Sequence, residues 1–171
     1  MPIRSTAKSE TYYDFFSASG TEVPFVYPTF NSNGERGIVA GGSPTLSQSL
    51  IQYINVSSAG NATNFGNLHT NVHMAAGMSN KVRGVFGGGY MHQPSIPAQN
   101  YMQYITIAST GNASDFGDLT VGRDRAGSVS NITRGCVCGG SGRNPSAYKE
   151  DTIDYITISS TGNASDFGNL T

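Results

Sequence analysis

Tryptophan is absent from this 171-residue chain, cysteine occurs twice, and charged residues make up 12% of it, half the usual share of about 25%. Ten Lys and Arg face eleven Asp and Glu, a formal net charge of −1. With no basic cluster there is no electrostatic handle for a phosphate backbone or an anionic membrane, so nucleic-acid binding is not expected. The longest apolar runs span only a few residues, whereas a membrane helix needs about 20, and no membrane insertion is expected. Residues Met1 to Lys8 hold no apolar stretch of the length of a secretory signal. That predicts a protein kept in the cytoplasm where it is made, or exported by a route that does not read its N-terminus.

Cys136 and Cys138 flank Val137. Residues two apart on a strand share a face, and a bridge between them would strain the backbone. Two ligands with no further Cys do not make a zinc site. Small core residues with free thiols are expected instead. Helical periodicity is missing as well, which leaves strands and turns.

What the chain has in excess is glycine, 22 residues against an average of about 7%, and repetition. Gln52-Tyr53-Ile54-Asn55-Val56, Gln103-Tyr104-Ile105-Thr106-Ile107 and Asp154-Tyr155-Ile156-Thr157-Ile158 recur at a spacing of 51 residues, and each continues into Gly-Asn-Ala and then Phe-Gly and Leu. A period of this size marks an array of one supersecondary unit. Upstream, Arg36-Gly37 leads to Gly41-Gly42, Arg83-Gly84 to Gly88-Gly89 and Arg134-Gly135 to Gly139-Gly140. A short apolar run closed by two glycines reads as a buried strand ending where the backbone turns sharply or approaches another segment closely. From Arg to the later Tyr the distance is 17 residues in the first copy and 21 in the others, so the connection between them is a surface loop. Tyr-Ile-Thr-Ile alternates polar and β-branched residues, the period of a strand with two unlike faces. Ser-Thr-Gly-Asn-Ala is a turn, because Gly and Asn tolerate positive φ. Phe65, Phe116 and Phe167 sit on the next short strand, and Asn71–Ser79 and Gly122–Ser130 add another. Each unit is thus about four strands in 50 residues.

These residues resemble the Kelch repeat. Arg123-Asp124-Arg125-Ala126-Gly127, the run from Arg134 to Gly139-Gly140, and Asp154-Tyr155-Ile156-Thr157-Ile158 match its basic-plus-small first strand, its Gly-Gly second strand and its Tyr-containing third. Where Kelch repeats place Trp on the fourth strand, this chain has Phe65, Phe116 and Phe167. The wording from Tyr104 to Thr120 is similar to Kelch-like repeats of virion proteins of tailed bacteriophages. The resemblance covers roughly residues 30 to 171. It implies an all-β fold of three Kelch-like four-stranded blades, at approximately 31–70, 71–120 and 121–171, with Tyr53, Tyr104 and Tyr155 on the third strand of each. Arg36, Arg83 and Arg134 recur at one structural position, where hydrogen bonds to carbonyls of adjacent strands or blades are expected ahead of ligand binding.

A propeller closes with about four to eight blades, so three leave an apolar face bare at each end. Exposed faces of that size normally mean a partner. The openings are a ring of six completed by two copies, identical or related chains stacked in a larger assembly, or a longer chain. Residues 1–30 do not repeat. They carry Tyr12, Tyr13, Phe15, Phe16, Phe25 and Tyr27, more ring surface than a disordered tail needs. These rings either cover the open side of the first blade or form an arm that docks into a neighbouring protein.

No catalytic constellation emerges. Asp115-Phe116-Gly117 and Asp166-Phe167-Gly168 spell a kinase tripeptide, but as part of a repeat and without the other kinase motifs. His69 and His73 share a face only on a helix, and too few ligands surround them or His92 for a metal. Neither cofactor nor metal is expected. The reading is a non-enzymatic structural component of a phage virion, on tail, fibre or capsid, whose partners are other virion proteins and copies of itself. The alternative is a carbohydrate-binding module of a fibre, meeting a host-surface glycan with Tyr90, His92 and Tyr148 in the variable loops.

Overall fold

A computed structural model describes residues 36–42, 48–91, 98–142 and 149–171. Tyr12, Tyr13, Phe15, Phe16, Phe25, Tyr27, His92 and Tyr148 lie outside the described residues. The chain divides between Asn31 and Ser32, and every described residue belongs to the second part.

The described residues contain strands and no helix. Strands β1 (Arg36–Ala40), β2 (Gln48–Asn55) and β3 (Thr63–Val72) form one antiparallel sheet in that order. A second follows the order β4 (Ala76–Ser79), β5 (Arg83–Gly87), β6 (Tyr101–Thr106) and β7 (Ser114–Asp118). In the third, β12 (Ser165–Asn169), β11 (Glu150–Thr157) and β10 (Arg134–Gly142) lie side by side, and β10 also pairs with β8 (Arg123–Asp124) and β9 (Gly127–Ser130). None of the three closes on itself. The register is the same in each: Arg36 lies opposite Asn55, Arg83 opposite Thr106 and Arg134 opposite Thr157. Asn80 and Asn131 set the start of β5 and β10, because each side-chain oxygen accepts the backbone N–H groups two and three residues on, the bonding of an Asx turn.

Two apolar cores lie between sheets. Ile51, Phe65, Leu68 and Val72 of the first sheet meet Ile105 and Ala113 of the second. Met78, Val85, Met102, Phe116 and Leu119 of the second meet Val137, Ile156 and Ile158 of the third. Alternation along β6 sends Tyr104 to one core and its neighbour Ile105 to the other. In the middle sheet the Tyr-Ile-Thr-Ile strand is therefore covered on both faces, where its sequence suggests one polar face. The tyrosine ring, polar only at its tip, packs edge-on against phenylalanine, with Tyr104 and Phe116 centroids 6.0 Å apart.

The first two glycine pairs follow the ends of β1 and β5, whereas Gly139 and Gly140 lie inside β10, where pairing with β11 shifts register between Cys138 and Gly140 instead of ending the strand. All six have positive φ, from 60° to 70° at Gly41, Gly88 and Gly139 and from 104° to 112° at Gly42, Gly89 and Gly140. A side chain is disfavoured there by backbone sterics. It would also collide: a Cβ at Gly88 would run into the Arg123 carbonyl and one at Gly140 into that of Asp124.

One buried ion pair departs from this repetition. Arg123 is fully buried, its Nη2 donates to Asp154 Oδ2 at 2.9 Å and to the Val137 carbonyl at 3.2 Å, while its Nε and Nη1 have no partner among the described residues. Asp154 also accepts the backbone N–H and the hydroxyl of Thr120. One repeat earlier the same places hold Val72 and Gln103, and Gln103 Oε1 accepts the backbone N–H groups of His69 and Thr70. Asp154→Ala strands a buried cation, so denaturant unfolding should show a loss of about 3–5 kcal/mol. The double variant Arg123→Val with Asp154→Gln, which copies the second repeat, should recover most of that loss. A double variant as unstable as the single one would show that the pair does not act as a unit.

Candidate functional site

The feature that stands out is the seam between consecutive sheets, because it is built twice to one plan and its components reappear unmatched at the end of the series. At the first seam, the Gly111 N–H donates to the Phe65 carbonyl and the Ala113 N–H to that of Asn67, while Asn112 Oδ1 accepts the Asn67 N–H at 3.0 Å. Fifty-one residues on, Gly162 donates to Phe116, Ala164 to Asp118, and Asn163 Oδ1 accepts the Asp118 N–H at 3.0 Å. The Gly-Asn-Ala turn of one repeat thus lies along the edge strand of the sheet before it, where main-chain groups would otherwise be unpaired. Gly66 and Gly117 permit the approach: a Cβ at either would strike the carbonyl of Gly111 or Gly162.

The repeated Arg, Tyr and Phe form one stack per sheet. The guanidinium of Arg36 lies 4.7 Å from the Tyr53 ring centre, and those of Arg83 and Arg134 lie 4.5 Å from Tyr104 and Tyr155. Tyr53, Tyr104 and Tyr155 meet Phe65, Phe116 and Phe167 edge to face. Two of these arginines also cross a seam. Arg36 Nη1 donates to the Ile107 and Ala108 carbonyls at 2.8 and 3.1 Å, and Arg83 Nη1 donates to that of Ile158 at 3.4 Å. Ser128 and Ser130 add hydroxyl bonds to the Gly77 and Ser79 carbonyls of the second sheet.

At the third sheet the plan has no continuation among the described residues. Phe65 and Phe116 are 3% and 2% exposed, and Phe167 is 56% exposed. Leu68 and Leu119 are 5% and 3% exposed, and Leu170 is 48% exposed. A Cβ on Gly168 would meet nothing within 4 Å. Arg134 keeps its tyrosine stack but has no carbonyl partner across a seam among the described residues. The result is an apolar patch beside an edge strand, β12.

Of the loop residues expected to meet a ligand, Tyr90 is described and is half-buried: its backbone pairs with His73 and its ring lies 5.1 Å from the His73 ring. A different aromatic borders an open cleft. Tyr101 is exposed and lines a space of about 480 Å³ together with His69, Thr70, Gln103, Asp115 and Asp118. Among the described residues no three His, Cys, Asp or Glu come together as metal ligands. Comparison with protein families finds no family model that matches the chain, and no curated protein matches it significantly.

Both cysteines are free thiols on β10, half-buried. Burial, reinforced by the neighbouring Cys136, pushes the Cys138 thiol above its ordinary value, and the Arg123 charge opposes that shift. A thiol held protonated reacts slowly. Alkylation of the native chain at pH 8 should leave Cys138 behind an unfolded control, with the gap narrowing as pH rises. Because the folded state holds this proton more tightly, the stability associated with it is complete below the unfolded thiol's pKa and is lost as pH rises through the folded one. Equal alkylation rates in the folded and unfolded chain would contradict the shift.

Proposed function

We propose that this chain is a non-enzymatic structural component of a bacteriophage virion, on tail, fibre or capsid, and that it works by protein–protein assembly. The observation that carries the reading is the uncovered face of the third sheet, where Phe167 and Leu170 stand in the open at positions that the other two sheets bury. Apolar side chains presented together beside an edge strand are the surface an assembly partner covers. Three Kelch-like blades in an open arc account for the three sheets and for the seams between them. The phage setting rests on the wording of the repeat from Tyr104 to Thr120. The sparse charge suits a part whose surfaces are mostly contacts, since each charge taken into an interface would need a partner. In this reading the first 30 residues, with Tyr12, Tyr13, Phe15, Phe16, Phe25 and Tyr27, anchor the chain to a neighbouring virion protein.

A second reading, binding of a host-surface glycan, draws support from the cleft bordered by Tyr101. An aromatic face beside carboxylates and an imidazole is the chemistry that holds a sugar ring.

Mass spectrometry of purified particles should find the chain at a fixed copy number. Removal of residues 1–30 should abolish its incorporation while the repeats keep their β-sheet circular dichroism. Its absence from particles would sink the virion reading, and normal incorporation of the truncated chain would sink the anchor. For the glycan reading, Tyr101→Ala with Asp118→Ala should reduce adsorption to host cells about tenfold or more, a loss of roughly 1.4 kcal/mol. Unchanged adsorption would remove it.

A further inference from the structure

The assembly reading leaves the partner open, and the two ends of the sheet series name one; the inference rests on that reading. We propose that the third sheet's uncovered face is occupied by the first sheet of a second copy of this chain, head to tail, so that two chains close a ring of six sheets.

The far side of the first sheet is the other half of the contact. Val56 holds the place of Ile107 and Ile158; it is 68% exposed where they are 5% and 0% exposed. Val39 and Ile54 are exposed as well, while Val137 and Ile156 at the matching places are buried. On the third sheet Val129 is 65% exposed, and Met78 at its place is 4% exposed. Within the chain these two sets are opposite walls of one core: Met78, Phe116 and Leu119 meet Val137, Ile156 and Ile158. One end of the series therefore exposes the wall that the other end needs.

The polar groups follow the same rule. Gly60-Asn61-Ala62 is the first repeat's version of the turn that docks at both internal seams, and all three residues are exposed. Carried forward by the 51-residue spacing, Gly60 of the second copy donates to the Phe167 carbonyl and Ala62 to that of Asn169. Asn61 accepts the Asn169 N–H, and the space over Gly168 receives the Gly60 carbonyl. Arg134 reaches the Val56 carbonyl as Arg83 reaches that of Ile158. Gln52, in the place of Gln103 and Asp154, takes the backbone N–H of Thr171 as Asp154 takes that of Thr120. Because head and tail are different surfaces, the contact is heterologous and must either close or polymerise. Six sheets lie inside the range of about four to eight at which such rings close.

Light scattering of the full chain should give twice its 18.0 kDa. Phe167→Asp at the tail and Val56→Asp at the head should each weaken the dimer about tenfold or more, as expected for a charge in place of a buried apolar group. Neither residue supports an internal core, so circular dichroism should be unchanged, and Leu170→Asp provides a second tail variant. An equimolar mixture of head and tail variants should recover dimer that neither forms alone, because one intact head then meets one intact tail. Cys136, at the place of buried Val85, should be protected from alkylation in the dimer and react in Phe167→Asp. A wild-type monomer, a dimer that only tail variants break, a mixture as monomeric as either variant, or masses above two chains would each overturn the proposal. A monomer still found in particles sinks this inference alone; a dimer absent from particles sinks only the virion reading.

Discussion

Both apolar cores of the described residues lie between two sheets, and neither lies within one. A sheet of three to five strands has apolar side chains on both surfaces, so it gains burial only by being covered by the sheets before and after it. Stability in such a series is a sum of sheet terms and neighbour terms, in which the end members are the weakest. Three sheets make two seams, and the exposure of Phe167 and Leu170 is the arithmetic consequence. Gly66, Gly117 and the arginines Arg36 and Arg83 serve the seam, the glycines by letting backbones approach and the arginines by bonding across it.

Apolar area holds the seams together, while neutral polar groups set their register. Asn112 and Asn163 each meet a main-chain N–H one sheet back, and the flanking Gly and Ala N–H groups complete the edge. These bonds involve no net charge, so they carry little of the desolvation cost that a buried ion would bring. The composition of the whole chain, poor in Lys, Arg, Asp and Glu, matches that economy. Arg36 and Arg83 bring charge to the seams only where they are partly exposed; Arg123 and Asp154 bury it, and two guanidinium nitrogens without partners among the described residues show what that costs.

Much of this geometry was legible in the sequence. The 51-residue spacing located the repeated strands, and the glycine pairs marked the strand ends after β1 and β5, while in β10 the same pair makes a register shift within a continuing strand. The repetition of Arg36, Arg83 and Arg134 pointed to bonds with carbonyls of adjacent strands or blades, and Arg36 and Arg83 make such bonds to the next sheet. Other features were hidden for physical reasons. Alternation along Tyr-Ile-Thr-Ile looked like one wet face, but a tyrosine ring can be covered while its hydroxyl stays reachable. Gln103 and Asp154 carry no motif; only their alignment, with Val72 changing to Arg123 as Gln103 changes to Asp154, signals a compensated pair. Tyr90, read as a ligand contact from its place in a variable loop, has its backbone paired with His73, a partner that no linear pattern announced. The Tyr101 cleft was missed because its residues come from two sheets and no linear pattern joins them.

The end faces allow one further step. Arrays of this kind that stop in solvent carry polar capping units, because an exposed phenylalanine or leucine adds nothing to the stability of a single chain and invites aggregation. Here the third repeat keeps Phe167 and Leu170 where the others have Phe116 and Leu119, and the first keeps Ile54 where the others have Ile105 and Ile156. At Asn64, Asp115 and Asp166, by contrast, the residue type changes between repeats, and all three positions face solvent. The apolar seam positions thus stay apolar, as Val56 does where the others have Ile107 and Ile158, including the positions that a single chain leaves open. That pattern follows if the open positions are seams in the working state.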